Sequence, residues 1–196
     1  LDTFRNGTHT AAPCPGDNGS GIAVDIGTTT IVVYLVDLGT GMTLAATSAI
    51  NPQTSFGADV ISRISCIGDD PEKLSELQKT VTRQINSLIS SLYLKTGRSP
   101  SAKDSIAVAG NTTMEHIFAG ISPESIGRSP FNPRFYDSLE FEAEELGVVA
   151  GKGVKVKLLP NIHGFVGGDI VSGIIYTEMH KSKELSLLVD IGTNNE

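Results

Sequence analysis

There is no tryptophan in this 196-residue chain, and there are just two cysteines, Cys14 and Cys66. With no Trp and 6% aromatic residues, stacking on bases or sugars has little to draw on. The two cysteines form no C-x-x-C pair and have no histidine at ligand spacing, so they make neither a zinc nor a redox motif. They read as free thiols of a reducing compartment. Positive charge is sparse as well: the formal net charge is −7 and no Lys/Arg cluster rises above scattered residues, which argues against a nucleic-acid partner. No apolar run approaches the roughly 18–20 residues of a membrane span. The opening LDTFRNGTHT lacks an apolar signal core. These absences lead us to expect a cytoplasmic protein with neither a membrane nor a nucleic acid as partner.

What is present is ordinary globular material, 39% hydrophobic and 19% charged. Residues 1–20 are rich in Gly, Pro, Thr and Asn and read as a linker or tail. From residue 21 the pattern sharpens. GIAVDI, IVVYLVDL (31–38) and TLAATSAI (43–50) are short β-branched or apolar runs, the last two joined by a Gly-containing turn at 39–42. They predict an antiparallel meander. ADVISRISCI reads as a helix. The clearest helix spans about Pro71 to Lys95, with Asp70 as cap, Gly97 as stop, and Leu74, Leu77, Val81, Ile85, Leu88 and Leu92 on one stripe. SIAVAG (105–110) predicts a buried strand, NTTMEHIFAG a short capped helix, and VKVKLLP (154–160) another strand. Residues 121–150 read as irregular, with EFEAEELG (140–147) a solvated acidic face. Residues 167–181 predict a helix with Ile170, Ile174 and Ile175 inside, and LSLLVDI (185–191) a final buried strand. The order β-β-β-α-α-β-α-β-α-β argues for an α/β layered domain with a mixed sheet.

One string occurs twice. VDIGT stands at 24–28, continuing as Thr29-Thr30, and again at 189–193, continuing as Asn194-Asn195. A glycine turn with hydroxyls and backbone N–H groups at its tip suits phosphate oxygens, and an aspartate ending the strand suits a phosphate-bound Mg²⁺ through its waters. One such turn is equally an ordinary hairpin. Two copies at domain-sized separation suggest a duplicated strand-turn-strand that clamps a polyphosphate from both sides. In FVGGDIVSGIIYTEMH, Asp169 falls in the first turn of a helix. The helix dipole would keep it ionised there, able to orient a water or accept a proton; a plain N-cap is the other reading.

Other features stay two-sided. Asp59 and Arg63 form an i,i+4 pair that reads as a surface ion pair, the alternative being that one of them lines the cleft. Asn111 and Thr112 follow a strand and open a helix, which places them at a cleft or makes them simple caps. His9, His116, His163 and His180 are isolated and receive no role.

The two turns resemble the phosphate-1 and phosphate-2 loops of the superfamily of acetate and sugar kinases, chaperone ATPases and actin. More closely, GIAVDIGTTTIVVYLVDLGTG, NPQTSFGADVISRI, VAGNTTMEHIFAG, LLPNIHGFVGGDI and LLVDIGTN, in that order, resemble the reductive activators of corrinoid proteins. The resemblance implies an actin-like ATPase (ribonuclease H-like) lobe with a mixed five-stranded sheet flanked by helices over 21–184. Residues 185–196 would then open a truncated second lobe. It implies ATP and Mg²⁺ as ligands. Asp25, Gly27, Thr28, Thr29 and Thr30 would hold phosphates from one side, and Asp190, Gly192, Thr193 and Asn194 from the other. Asp25 and Asp190 would hold Mg²⁺ through water, and Asp169 would be the catalytic group. It implies a corrinoid protein as partner, driven from Co(II) to Co(I), and a 2Fe-2S cluster in a domain absent from this chain, since no C-x4-C-x2-C string occurs. A homodimer stays open. So do two other functions, a small-molecule kinase of the same superfamily and a non-catalytic nucleotide sensor. The second turn departs from the family's usual pattern by carrying Asn195 where Gly is common.

Overall fold

Strict alternation sets the inner face of the sheet. Ile22, Val24 and Ile26 of β1 (Ser20–Ile26) and Ile31, Val33 and Leu35 of β2 (Thr30–Asp37) are all buried, with their neighbours pointing the other way. The computed structural model describes residues 19–190 and residue 192. β3 (Thr43–Ile50) completes an antiparallel meander, and the order across the sheet is β3-β2-β1-β4-β6-β5. β4 (Ser105–Gly110) runs parallel to β1 and to β6 (Lys155–Leu158), while β5 (Leu139–Glu142) is antiparallel to β6.

The inner face is closed by α2 (Pro71–Thr96). Asp70 caps it by accepting from Glu72 and Lys73 N–H, Pro71 occupies the first turn, and Gly97 ends it in the left-handed region. Leu77, Val81, Ile85, Leu88 and Leu92 are buried and Leu74 packs at their margin, so the stripe is the core face. α1 (Val60–Ile67) and α3 (Thr112–Ala119) complete the layer; α4 (Gly168–Thr177) packs on β4. His116 of α3 is wholly buried. Its Nδ1 lies 2.7 Å from Thr112 O and its Nε2 accepts from Arg134 N–H. Burial pushes it down to about 4, so it is a neutral structural group. Among the described residues, no helix is long and apolar enough to cross a membrane.

Four expectations change. The sheet has six strands rather than five, because β5 lies inside the stretch that reads as irregular. Leu-Glu-Phe-Glu alternates, but a four-residue run half made of glutamate is a weak strand signal; an edge strand tolerates it, and Glu140 pairs with Lys155 across β6. Beyond it, Ala143, Leu146 and Val148 are buried, so the 140–147 stretch is not wholly a solvated face. Residues 185–190 form no strand: they join no ladder, and Leu185, Leu187 and Val189 are exposed. An apolar run becomes a buried strand only where it pairs with a sheet edge, and residues 185–190 pair with neither β3 nor β5, the two edges of this sheet. Finally, the helix near 167–181 ends at Thr177, and Ile175 faces solvent.

Candidate functional site

β1 and β4 run side by side and end level, Ile26 beside Gly110, so the turn after β1 and the start of α3 meet at one end of the sheet. Gly27 N–H donates to Thr30 O at 3.0 Å and closes the turn. A Cβ on Gly27 would stand 2.6 Å from that oxygen, so the turn admits no side chain there. Thr28 is buried, and its hydroxyl oxygen accepts from Asn111 Nδ2 at 2.9 Å. The Asn111 Oδ1 accepts from Met114 N–H, so one amide both caps α3 and fixes the Thr28 hydroxyl. Thr29 and Thr30 are exposed.

Opposite the turn stands α4. Its cap is Gly167, and Asp169 is its second residue, with Oδ1 accepting from Ile170 N–H at 2.8 Å. The plain N-cap reading of Asp169 is therefore not what the structure has. The helix sits where it does because backbone meets backbone. A Cβ on Gly167 would lie 2.5 Å from Thr112 N, 2.6 Å from Gly110 O and 2.7 Å from Asn111 Cα. None of these atoms can swing aside. Gly167→Ala is expected to cost about 1–3 kcal/mol through overpacking and to carry Asp169 away from the turn. Thermal unfolding and nucleotide affinity, measured together, check this; an unshifted unfolding midpoint would refute it.

Asp25, Gly27, Thr28, Thr29, Thr30 and Asn111 line one side of a cleft of about 250 Å³; Asp169, Asp190 and Gly192 line it as well, together with Val32. Thr193 and Asn194 lie outside the described residues. Thr112 does not line the cleft: it is buried, and its hydroxyl donates to His163 O at 2.8 Å, tying α3 to the loop before α4. His163 itself is exposed in that loop.

The electrostatics of the cleft follow from three carboxylates facing one another. Asp25 is reachable by water yet sheltered by the cleft walls; burial first, then Asp169 and Asp190, push it up to about 6. Asp169 also moves upward, through burial and the charge of Asp190, against the pull of the Ile170 N–H. Burial and the charge of Asp190 thus work against the ionised form that a helix N-terminus favours, and they leave the carboxyl above its ordinary value. A cluster of this kind fits a hydrated divalent cation, since hard oxygen donors of like charge are relieved by one. Among the described residues no three acidic, His or Cys side chains close on a single point.

Three residues of consequence escape sequence reading. Arg63 is fully buried rather than a surface partner of Asp59, which caps α1 through Ser62 N–H at 2.7 Å. Its guanidinium donates to Thr28 O at 2.5 Å. Asn51, also fully buried, donates from Nδ2 to Gly27 O at 2.9 Å. A signal for Arg63 exists: it occupies a core position of the stripe Val60, Arg63, Ile64, Ile67. Glu115 is the third, buried under the first turn of α4, where a Cβ on Gly168 would collide with its Oε1.

Comparisons with known proteins bear on all of this. A family model described as the RACo middle region matches residues 20–182. The chain is similar to the corrinoid activation enzyme RamQ of Eubacterium limosum, 32% identical over 176 residues that make up 90% of this chain. It also resembles the solved structure of a reductive activator for a corrinoid, iron-sulfur protein, at 40% identity and a TM-score of 0.87 over 92% of this chain. It spans 29% of the length of each of these two proteins.

Proposed function

This chain belongs to the RACo middle-region family, and from that premise we propose that its cleft holds the phosphates of ATP in a reductive activator of a corrinoid protein. The observation that carries the reading is the meeting of the 25–30 turn, Asp169 and the Asp190–Gly192 stretch at one cleft. The turn offers backbone and hydroxyl donors to phosphate oxygens. Asp25 and Asp190 would hold Mg²⁺ through its waters, and the ion would neutralise phosphate charge. Thr193 and Asn194 would extend the second wall. Asp169 would orient a water or accept its proton as ATP and water become ADP and phosphate. Residues 21–184 would serve as one lobe and 185–196 as the opening of another.

In the intact protein, nucleotide binding or hydrolysis would drive the partner's cobalt from Co(II) to Co(I). The single electron would come from a reductant through an iron-sulfur domain outside this chain. The test uses the intact protein, a corrinoid protein and an artificial electron donor, with ATP turnover and the visible spectrum of the corrinoid followed together. ATP-dependent appearance of Co(I), with turnover raised by the partner, is the expected result. A phosphorylated metabolite would make the protein a kinase, and nucleotide binding without turnover would make it a sensor.

A further inference from the structure

The turn at 27–30 is held from behind by Asn51 and Arg63, which do not themselves line the cleft. Asn51 Nδ2 donates to Gly27 O at 2.9 Å, Arg63 Nη2 to Thr28 O at 2.5 Å, and Asn51 N–H to Thr29 O at 2.8 Å. Three consecutive carbonyls are therefore drawn back into the protein. In a planar trans peptide the N–H points opposite to the C=O. Fixing the Gly27 and Thr28 oxygens thus directs the N–H groups of Thr28 and Thr29 the other way, and those two residues line the cleft.

Arg63 is an unusual choice for this task. Its remaining acceptors are Gly57 O at 3.0 Å, Gln53 Oε1 at 3.3 Å and Met114 Sδ at 3.0 Å, all neutral. Among the described residues no carboxylate lies within ion-pair distance of it, and Asp59 acts on it only through its charge; burying a cation without a bonded counter-charge is costly. Burial pulls its pKa down to about 10, still well above neutrality, so the charge remains. That charge sits one peptide unit behind a cleft whose facing side chains are three carboxylates. A charged donor on a peptide oxygen polarises the whole amide and strengthens its N–H as a donor.

We infer that Arg63 and Asn51 are positioning residues for anion binding: they aim the turn's amides, and Arg63 passes its positive charge through the Thr28–Thr29 peptide to a phosphoryl oxygen in the cleft. This rests on the reading of the cleft as a phosphate site. The experiment uses the intact protein labelled with ¹⁵N-threonine, as wild type, Arg63→Lys and Arg63→Met. The Thr29 amide resonance is recorded without ligand, and affinities for MgATP and Mg-pyrophosphate are measured by calorimetry. Arg63→Met is expected to move the Thr29 amide and weaken both ligands about 10- to 100-fold, the loss of a charge-assisted hydrogen bond. Arg63→Lys, which keeps charge and one donor and guards against a misfolded Met variant, recovers most of the affinity. An unmoved Thr29 amide, or Arg63→Lys as weak as Arg63→Met, overturns the inference. If wild type binds neither ligand, the phosphate-site reading falls, while the amide shift still reports on the brace.

Discussion

Asp169→Asn is expected, on the proposed function, to lower ATP turnover of the intact protein about 10²- to 10⁴-fold, the usual worth of a positioned general base, and to leave MgATP affinity within about tenfold. The amide keeps the shape and accepts a hydrogen bond but takes no proton. Asp169 stands across the cleft from the 27–30 turn on a helix locked by the Gly167 contact, so the substitution alters chemistry more than geometry. Burial and Asp190 raise its pKa, which makes the carboxylate a better base than an exposed one. A base must be ionised to act, so turnover falls as pH drops through that raised pKa. Asp190→Asn removes one of the raising charges and should move the acid limb to lower pH. Turnover by Asp169→Asn equal to wild type would remove this residue from the mechanism.

Glu115→Gln, by contrast, stabilises the fold, by about 3 kcal/mol at pH 7. Glu115 is fully buried, and neither carboxyl oxygen has a hydrogen-bond partner among the described residues. It lies beside the Asn161 side chain and the Gly110 peptide, near enough to feel both electrostatically but in bonding geometry with neither; the Asn161 amide is likewise unpartnered. Burial, with the Asp169 charge adding to it, pushes the carboxyl up to about 9 from an ordinary 4.5. The folded state therefore holds its proton where the unfolded chain has released it. The contribution is therefore fully present below 4.5, declines by about 1.4 kcal/mol per pH unit as pH rises, and is lost once pH passes about 9. Glutamine has the same shape and no proton to hold. Thermal unfolding of wild type and variant at pH 5, 7 and 9 checks this. Parallel pH slopes would show that Glu115 is not the group responsible.

Much of the fold was legible because the relevant signals are local. The cap at Asp70, the stop at Gly97 and the spacing from Leu74 to Leu92 define α2 without reference to any neighbour. Alternation does the same for β1 and β2. The nearness of the 25–30 turn, Asp169 and Asp190 was legible through repetition and family resemblance. What could not be read depends on distant residues. β5 exists because β6 offers it an edge and lysines, and residues 185–190 fail as a strand because no edge receives them. Arg63 looked like a helix-surface partner of Asp59 because spacing reveals proximity but not depth. The upward shift of Asp169 belongs to the same class: a helix dipole can be inferred from a sequence, whereas desolvation by facing walls and the nearness of Asp190 cannot.

The two walls of the cleft are unequal in build. The 27–30 turn joins two laddered strands and is pinned at three carbonyls, whereas Asp190 sits on a stretch that joins no ladder. The turn is thus the braced side of the cleft. On the proposed reading, tightening on a ligand would be travel by the Asp190 side towards the braced turn. A distance probe should accordingly be anchored on β1, as the stationary mark, and its mate placed at exposed Val189, where displacement accumulates.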